Sequence, residues 1–437
     1  MRHFFDIMNT NQIYDLFKNS AGVNTDSRNI KKNEIFFALR GDKFDGNKYA
    51  AEALAKGALC AVIDDPAFEA DGTILVDDAL LELQALALHH RKVLNVPTLA
   101  ITGTNGKTTT KELVASVLSK RKKVHFTKGN LNNHFGIPLS ILSAPFDTEM
   151  MVIEMGASHI GEIRSHCNIV RPDSGIITNI GIAHIEGFGS FEGIIKAKTE
   201  LYEYLKKTNG LALYNEFNPL LAEKISEIAV IAIPYSCPVG IGLNVEAQES
   251  DLFLKLKATY GDNEYTINTN LFGLYNIENI KAAMATGLLF DVPMEKIISA
   301  IEEYNPENNR SQIKDTGKNV LICDSYNANP SSMTTALRSF SKLKRDKKAV
   351  ILGDMLELSE ESEEKHFKIL QEINYIKPEN VFLVGQIFGR IAANSGYTLF
   401  EDVKMLRDYL IDRELKDFTI LVKGSRGIGL EKLYDIL

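Results

Sequence analysis

The apolar run "TLAIT" (Thr98–Thr102) breaks at once into "GTNGKTTTKEL", and no other stretch limits the possible folds so sharply. Glycines at 103 and 106 open backbone angles closed to other residues and let amide N–H groups approach an anion. From Thr108 onward the apolar spacing is helical, so the positive end of a helix points at the same place. Lys107 supplies a point charge for terminal phosphates, and the Thr108 hydroxyl can ligate magnesium. Ile101 stands where the first glycine of the usual pattern would be, so the loop is a shortened GxxGKTT form. Strand, phosphate loop and helix in this order predict a parallel α/β nucleotide-binding unit.

The surroundings repeat that alternation. "VHFT", "MMVIEM", "SGIITNI" and "GLALYN" read as strands, and "FEGIIKAKTELYEYLK" reads as an amphipathic helix. "LFLKLKATYGDNEYTINTN" reads as a hairpin turning at Gly261-Asp262-Asn263, and "NIENIKAAMATGLLF" and "PMEKIISAIEEY" as helices. Before Pro97, "NEIFFALRG" and "ALCAVIDD" suggest short strands and "LLELQALALHHRKVL" a helix. The polar bridge "NPENNRSQ" separates off a last unit, in which "NVLICD", "KAVILGD", "NVFLVG" and "FTILVKG" each lead into a helix. At 437 residues the chain exceeds one compact core. The expected fold is α/β in three domains, residues 1–96, 97–308 and 309–437, with a central P-loop parallel-sheet ATPase domain and a C-terminal Rossmann-like domain.

Three residues outside the loop stand out. Glu154 ends an apolar strand, which places a hard oxygen ligand at a carboxyl edge of the sheet. His184, after the next strand, falls in the same layer, as a ligand or as a packed residue. Ile194, Lys198, Leu201 and Leu205 are spaced as one helical stripe, so Lys198 lies on an apolar face. It either snorkels or stays buried. A buried lysine tends to lose its proton, and a neutral amine can add carbon dioxide to become a metal-binding carbamate.

The formal net charge of −8 argues against general nucleic-acid binding and against a basic membrane-surface protein. Cys60, Cys167, Cys237 and Cys323 are widely separated, which suggests buried thiols in a reducing compartment and neither a disulfide frame nor a zinc site. "MRHFFDIMNTNQIYDLF" lacks the features of a secretory signal, and no apolar stretch is long enough to span a membrane. A soluble cytoplasmic protein is the expectation.

"GTNGKTT", "GNLNNHFGIPLSIL", "EMGASHIGEI", "NIGIAHIEGFGS", "AKTEL", "LYNIENIKAA", "DSYNANPSSM", "LGDMLEL" and "KGSRGIGLEKL" together resemble the Mur ligases, ATP-dependent amide-forming enzymes of peptidoglycan synthesis. "DSYNANPSSM", "TDSR" and "ALRGDKFDGNKY" are most similar to the branch that joins D-alanyl-D-alanine to UDP-N-acetylmuramoyl-tripeptide. The Asp-Asn-Pro-Arg motif of the diaminopimelate-adding branch is missing from the sequence. The resemblance implies that Gly103, Thr104, Asn105, Gly106, Lys107, Thr108 and Thr109 wrap the ATP phosphates, and that Thr108, Glu154, His184 and a carbamoylated Lys198 serve two magnesium ions. It implies catalytic roles for Lys107, His184 and Lys198, adenine contacts from Asn276 and Asn279, and nucleotide contacts from Arg310 and Asp324. Ser27, Asp42, Lys43 and Phe44 match positions that hold the uridine diphosphate part, and Tyr326, Asn327 and Asn329 match the dipeptide site. Tyr275 and Asn47 stand where the family often has histidine. Taken alone, "DSYNANPSSM" is also what a strand end followed by a helix cap looks like. The resemblance further implies a monomer that binds no nucleic acid and does not insert into a membrane. A folylpolyglutamate synthetase would use the same activation with another amine, and a switch GTPase would need an Asn-Lys-x-Asp motif that the sequence lacks.

Overall fold

A computed structural model describes residues 10–41, 44–358 and 361–437. Its centre is a six-stranded parallel sheet in the order Ile231–Pro234, Leu211–Tyr214, Ser174–Ile177, Thr98–Thr102, Met150–Glu154, Val124–Phe126. Thr98–Thr102 therefore has a strand on either side, with Ala100 opposite both Gly175 and Ile153. Each of its residues is buried, the continuous apolar pattern of a sheet covered on both faces. Leu99 and Ile101 face a core built with helices Lys107–Ser119 and Asn276–Leu289. Ala100, Ile153 and Ile177 face the opposite core, with Leu201, Tyr202 and Leu205 of helix Phe191–Thr208. That helix starts where the Ser190 hydroxyl accepts from Gly193 N, and stops at Asn209 in the left-handed region.

The first unit is a four-stranded parallel sheet ordered Val23–Asn24, Ile35–Phe37, Cys60–Ile63, Thr73–Leu75. Its helix Ala79–Leu94, capped by Asp78 and closed by left-handed Asn95, packs on central helices Gly136–Leu142 and Glu162–Val170. The last unit has parallel strands Val320–Asp324, Thr419–Lys423, Lys348–Gly353, Asn380–Val384 and Thr398–Phe400, with Gln312–Asp315 antiparallel at one edge. Apolar clusters cover both of its faces, and central-unit Phe272 belongs to one of them.

The strands and helices expected from the sequence are present, with local differences. The hairpin pairs Tyr260 with Asn263, so its turn is Gly261-Asp262 alone. Strand Leu243–Gln248 joins it as a third member, where the sequence suggested only two. Cys60, Cys167 and Cys323 are buried free thiols, but Cys237 is exposed, because it lies in the turn after edge strand Ile231–Pro234. Among the described residues no helix is long and apolar enough to cross a membrane.

Candidate active site

The carboxyl ends of the central and C-terminal strands converge on one cavity of about 580 Å³, which the phosphate loop helps to line. Gly103 has φ 139°, and a Cβ there would lie 2.0 Å from Thr178 Oγ1 and 3.0 Å from Thr178 N. Gly106 has φ 80°, and its Cβ would meet Asn279 Oδ1 at 2.6 Å. Only glycine fits either position. The adjoining loop fixes the turn: Thr104 N donates to Asn179 O at 2.9 Å, Asn105 N to Asn179 Oδ1 at 3.0 Å, and Thr178 Oγ1 to Asn105 O at 2.7 Å. Lys107 Nζ donates to the carbonyls of Gly103 and Thr104, at 2.8 and 3.0 Å. Burial pulls its pKa down, and the Glu154 charge pulls it back up. Helix Lys107–Ser119 begins one residue before the sequence suggested, so Lys107 and Thr108 both sit in its first turn.

Glu154 is 1% exposed at the end of its strand. Its Oε1 accepts from Asn132 Nδ2 at 2.7 Å, while Oε2 is buried with no hydrogen-bond partner and lies 3.9 Å from Lys111 Nζ. An anionic oxygen left without a donor suits a cation. Among the described residues no three His, Cys, Asp or Glu side chains form a metal cage. Magnesium does not need one, because it keeps several waters and takes substrate phosphate oxygens. Thr108, Glu154 and His184 all line the cavity, a sparse oxygen-and-imidazole set that fits such an ion. His184 itself, at φ 50°, pairs its Nδ1 with Glu357 of the last unit at 2.7 Å.

Lys198 also lines the cavity and is 3% exposed, so it is buried and does not snorkel. Burial first, and the Lys107 charge second, bring its pKa down to about 7. A large share of the side chain is then a neutral amine near neutrality.

Asn276 and Asn279 reach the cavity, but part of their polar capacity is already used. Asn279 Oδ1 accepts from Thr110 Oγ1 at 3.0 Å, Asn279 Nδ2 donates to Asn276 Oδ1 at 2.8 Å, and Asn276 Nδ2 donates to Phe272 O at 2.8 Å. Tyr275 bonds through its hydroxyl to Ser311 Oγ at 2.6 Å. The Arg310 guanidinium stacks 3.6 Å above the Tyr326 ring, with its Nε buried and unpartnered. Asp324 accepts from Ser311 N at 3.1 Å and from Lys423 Nζ at 2.6 Å. Asn327 lines the cavity too. Asn329 makes the helix cap that the sequence allowed, and it also lines the cavity. Its Oδ1 caps helix Pro330–Ser341, and its Nδ2 donates to Asn105 Oδ1 of the phosphate loop at 2.8 Å.

Ser27 and Phe44 do not line this cavity: Ser27 is buried in the first unit, and Phe44 is an exposed residue of a two-stranded ribbon. Asp42 and Lys43 lie outside the described residues. Asn47, 1% exposed, is engaged with Asp45 and Asp64 inside the first unit. Sequence reasoning missed Asn132, Asn179, His166, Glu357 and Lys423, all of which line the cavity. Lys423 carried the signal used for Glu154, a charged residue ending an apolar strand, whereas Asn132 and His166 sit in a loop and a helix with no periodic clue.

Family models match along most of the chain: "Mur ligase family, catalytic domain" over residues 19–106, "Mur ligase middle domain" over 101–287, and "Mur ligase, glutamate ligase domain" over 309–426. The chain is 34% identical to UDP-N-acetylmuramoyl-tripeptide–D-alanyl-D-alanine ligase of Bacillus subtilis, over 94% of this chain and 92% of the relative. It is 32% identical to the ligase of that name from Escherichia coli, with the same coverage. Among solved structures it is similar to the MurF ligase of Thermotoga maritima in complex with ADP, with TM-score 0.84 and 25% identity over 97% of each chain. It is also similar to MurF of Acinetobacter baumannii, with TM-score 0.82 and 27% identity over 96% of each chain. Near-complete coverage at this identity, on a shared fold that brings the phosphate loop, Glu154 and Lys198 to one cavity, means that the chain belongs to the Mur ligase family.

Proposed function

We propose that this chain is an ATP-dependent ligase that joins D-alanyl-D-alanine to UDP-N-acetylmuramoyl-tripeptide in peptidoglycan precursor synthesis. The convergence of a phosphate loop, a depressed-pKa lysine and side chains of the last unit on one cavity carries the reading. The names of relatives aligned over 94% of the chain support the choice of substrates.

A carboxylate resists an amine because it is negatively charged and has no good leaving group. Transfer of the ATP γ-phosphoryl group to the peptide's terminal carboxylate gives an acyl phosphate, from which phosphate can depart. That transfer depends on positioning and charge neutralisation. Lys107 and the amides of Gly103–Thr109 would hold the phosphates, and Arg310 and Asp324 would contact the nucleotide from the linker and last unit. Asn276 and Asn279 would approach the adenine with the polar edges they have left. Thr108, Glu154 and His184, with Lys198 as its carbamate, would hold magnesium, which when bound neutralises phosphate charge. The dipeptide amine then attacks the acyl phosphate carbon, its proton is lost, and phosphate leaves as the amide forms. Tyr326, Asn327 and Asn329 would border the amine's approach, while Ser27, Asp42, Lys43 and Phe44 would hold the uridine diphosphate.

Residues 1–96, 97–308 and 309–437 would act as carriers of the nucleotide-sugar peptide, ATP and dipeptide, in a cytoplasmic monomer. Closure about Arg310 would exclude water from the acyl phosphate. The deciding experiment supplies ATP, magnesium, UDP-N-acetylmuramoyl-tripeptide labelled with ¹⁸O in its terminal carboxylate, and D-alanyl-D-alanine. An amide product of the summed mass less water, with one label in the released phosphate, is expected. Product without label would refute the acyl phosphate, and no product would refute the assignment.

A further inference from the structure

Helix Glu162–Val170 presents a feature that the proposed reaction does not use. Glu162 and His166 lie one helical turn apart, which puts them on one face, and both line the cavity. His166 is 3% exposed, and its Nδ1 is buried without a hydrogen-bond partner. In the neutral ring with its proton on Nε2, Nδ1 is an acceptor facing the site with no partner of its own. Burial lowers the pKa to about 4, so the ring is neutral under working conditions. Glu162 accepts from Ser158 N at 2.7 Å and His159 N at 3.1 Å, and its side chain remains 32% exposed. A carboxylate has further lone pairs to offer. The wall thus combines negative charge with an unused neutral acceptor.

Under the proposed function the other walls have occupants: the phosphate loop would take the nucleotide, and the last unit would border the incoming amine. Loop residue His134, on the same wall as Glu162 and His166, accepts through its carbonyl from Gln84 of the first unit at 3.2 Å. This wall therefore adjoins the unit assigned to the nucleotide-sugar peptide. A peptide entering from that unit with its terminal carboxylate at Lys107 would share the cavity with this wall.

We propose that Glu162 and His166 form the subsite that reads the side-chain amine of the residue ending the acceptor peptide. Glu162 supplies the charge, and His166 Nδ1 accepts one N–H. The assignment rests on the proposed function and adds to it the feature that selects the peptide. An apolar side chain of equal length would bury the carboxylate and Nδ1 with no donor, and that asymmetry is the source of discrimination.

The test uses the full-length enzyme and UDP-N-acetylmuramoyl-tripeptides ending in lysine, diaminopimelate or norleucine. The first two separate the sources of the amine, the form with the lower KM being the source. Norleucine should raise that KM about tenfold to a hundredfold, with kcat and the KM values for ATP and dipeptide little changed. Two variants separate recognition from scaffolding, since asparagine can put an oxygen near the Nδ1 position and glutamine a nitrogen near Nε2. H166N should keep the preference over norleucine, and H166Q should lose it. Equal KM values for norleucine and the better amine form in the wild type would overturn the proposal while leaving the ligase reading intact. Retention by H166Q together with loss in H166N would also overturn it, by showing that the Nε2 edge of the ring, and not Nδ1, is what matters. Absence of product from every peptide would remove the ligase reading and the subsite together.

Discussion

The lysine on the apolar stripe allows a quantitative test by Lys198→Met, which keeps an unbranched side chain one heavy atom shorter and removes the titrating group. Burial and the Lys107 charge lower its pKa from 10.5 to about 7, and the unfolded chain recovers the ordinary value. Between those limits the unfolded state holds a proton that the folded state lacks, so stability rises with pH. Integrating from pH 7 to pH 9 gives about 2 kcal/mol of added stability from this one group. Methionine has no such contribution, so the variant should lack the increment and be the more stable protein at pH 7 while losing turnover. The assay is urea unfolding followed by circular dichroism, in carbon dioxide-free buffer at both pH values, for wild type and variant. Differencing the two proteins cancels every titrating group that does not sense the Lys198 charge. Parallel pH dependence within about 0.5 kcal/mol would refute the depressed pKa and the neutral amine that carbamate formation needs. Bicarbonate should raise the stability of the wild type alone without flattening its pH dependence, because the carbamate, like the neutral amine, lacks the proton that the unfolded lysine holds.

Gly103→Ala forces a side chain into left-handed backbone against Thr178, and strain plus overpacking of about 2–6 kcal/mol should abolish binding of a fluorescent ATP analogue; wild-type affinity would count against the loop geometry. Asn329→Asp keeps a helix-capping acceptor but loses the donor to Asn105, so melting should change little while KM for the dipeptide rises; an unchanged KM would separate that contact from catalysis. Chelation should stop phosphate release, magnesium should restore it, and Glu154→Gln should raise the magnesium needed about tenfold or more; an unshifted metal requirement would remove Glu154 from the metal site.

The sequence by itself determined the local chemistry. Gly103 and Gly106 between an apolar strand and an amphipathic helix can make little but a phosphate loop, because the constraint on φ is local. Continuous apolar runs fixed the strands, since a strand covered on both faces needs no polar alternation. The stripe at Ile194, Lys198, Leu201 and Leu205 placed the lysine on a helix face, and periodicity could go no further. Whether Lys198 snorkels or is sealed depends on what packs over that face, and only the tertiary structure decided that it is 3% exposed and close enough to Lys107 to feel its charge. The same holds for Asn105 meeting Asn329, Glu154 meeting Asn132, and Glu162 and His166 meeting the cavity wall. Each contact joins segments brought together by chain crossovers, and distances set by sheet order leave no trace in the spacing of residues along the chain.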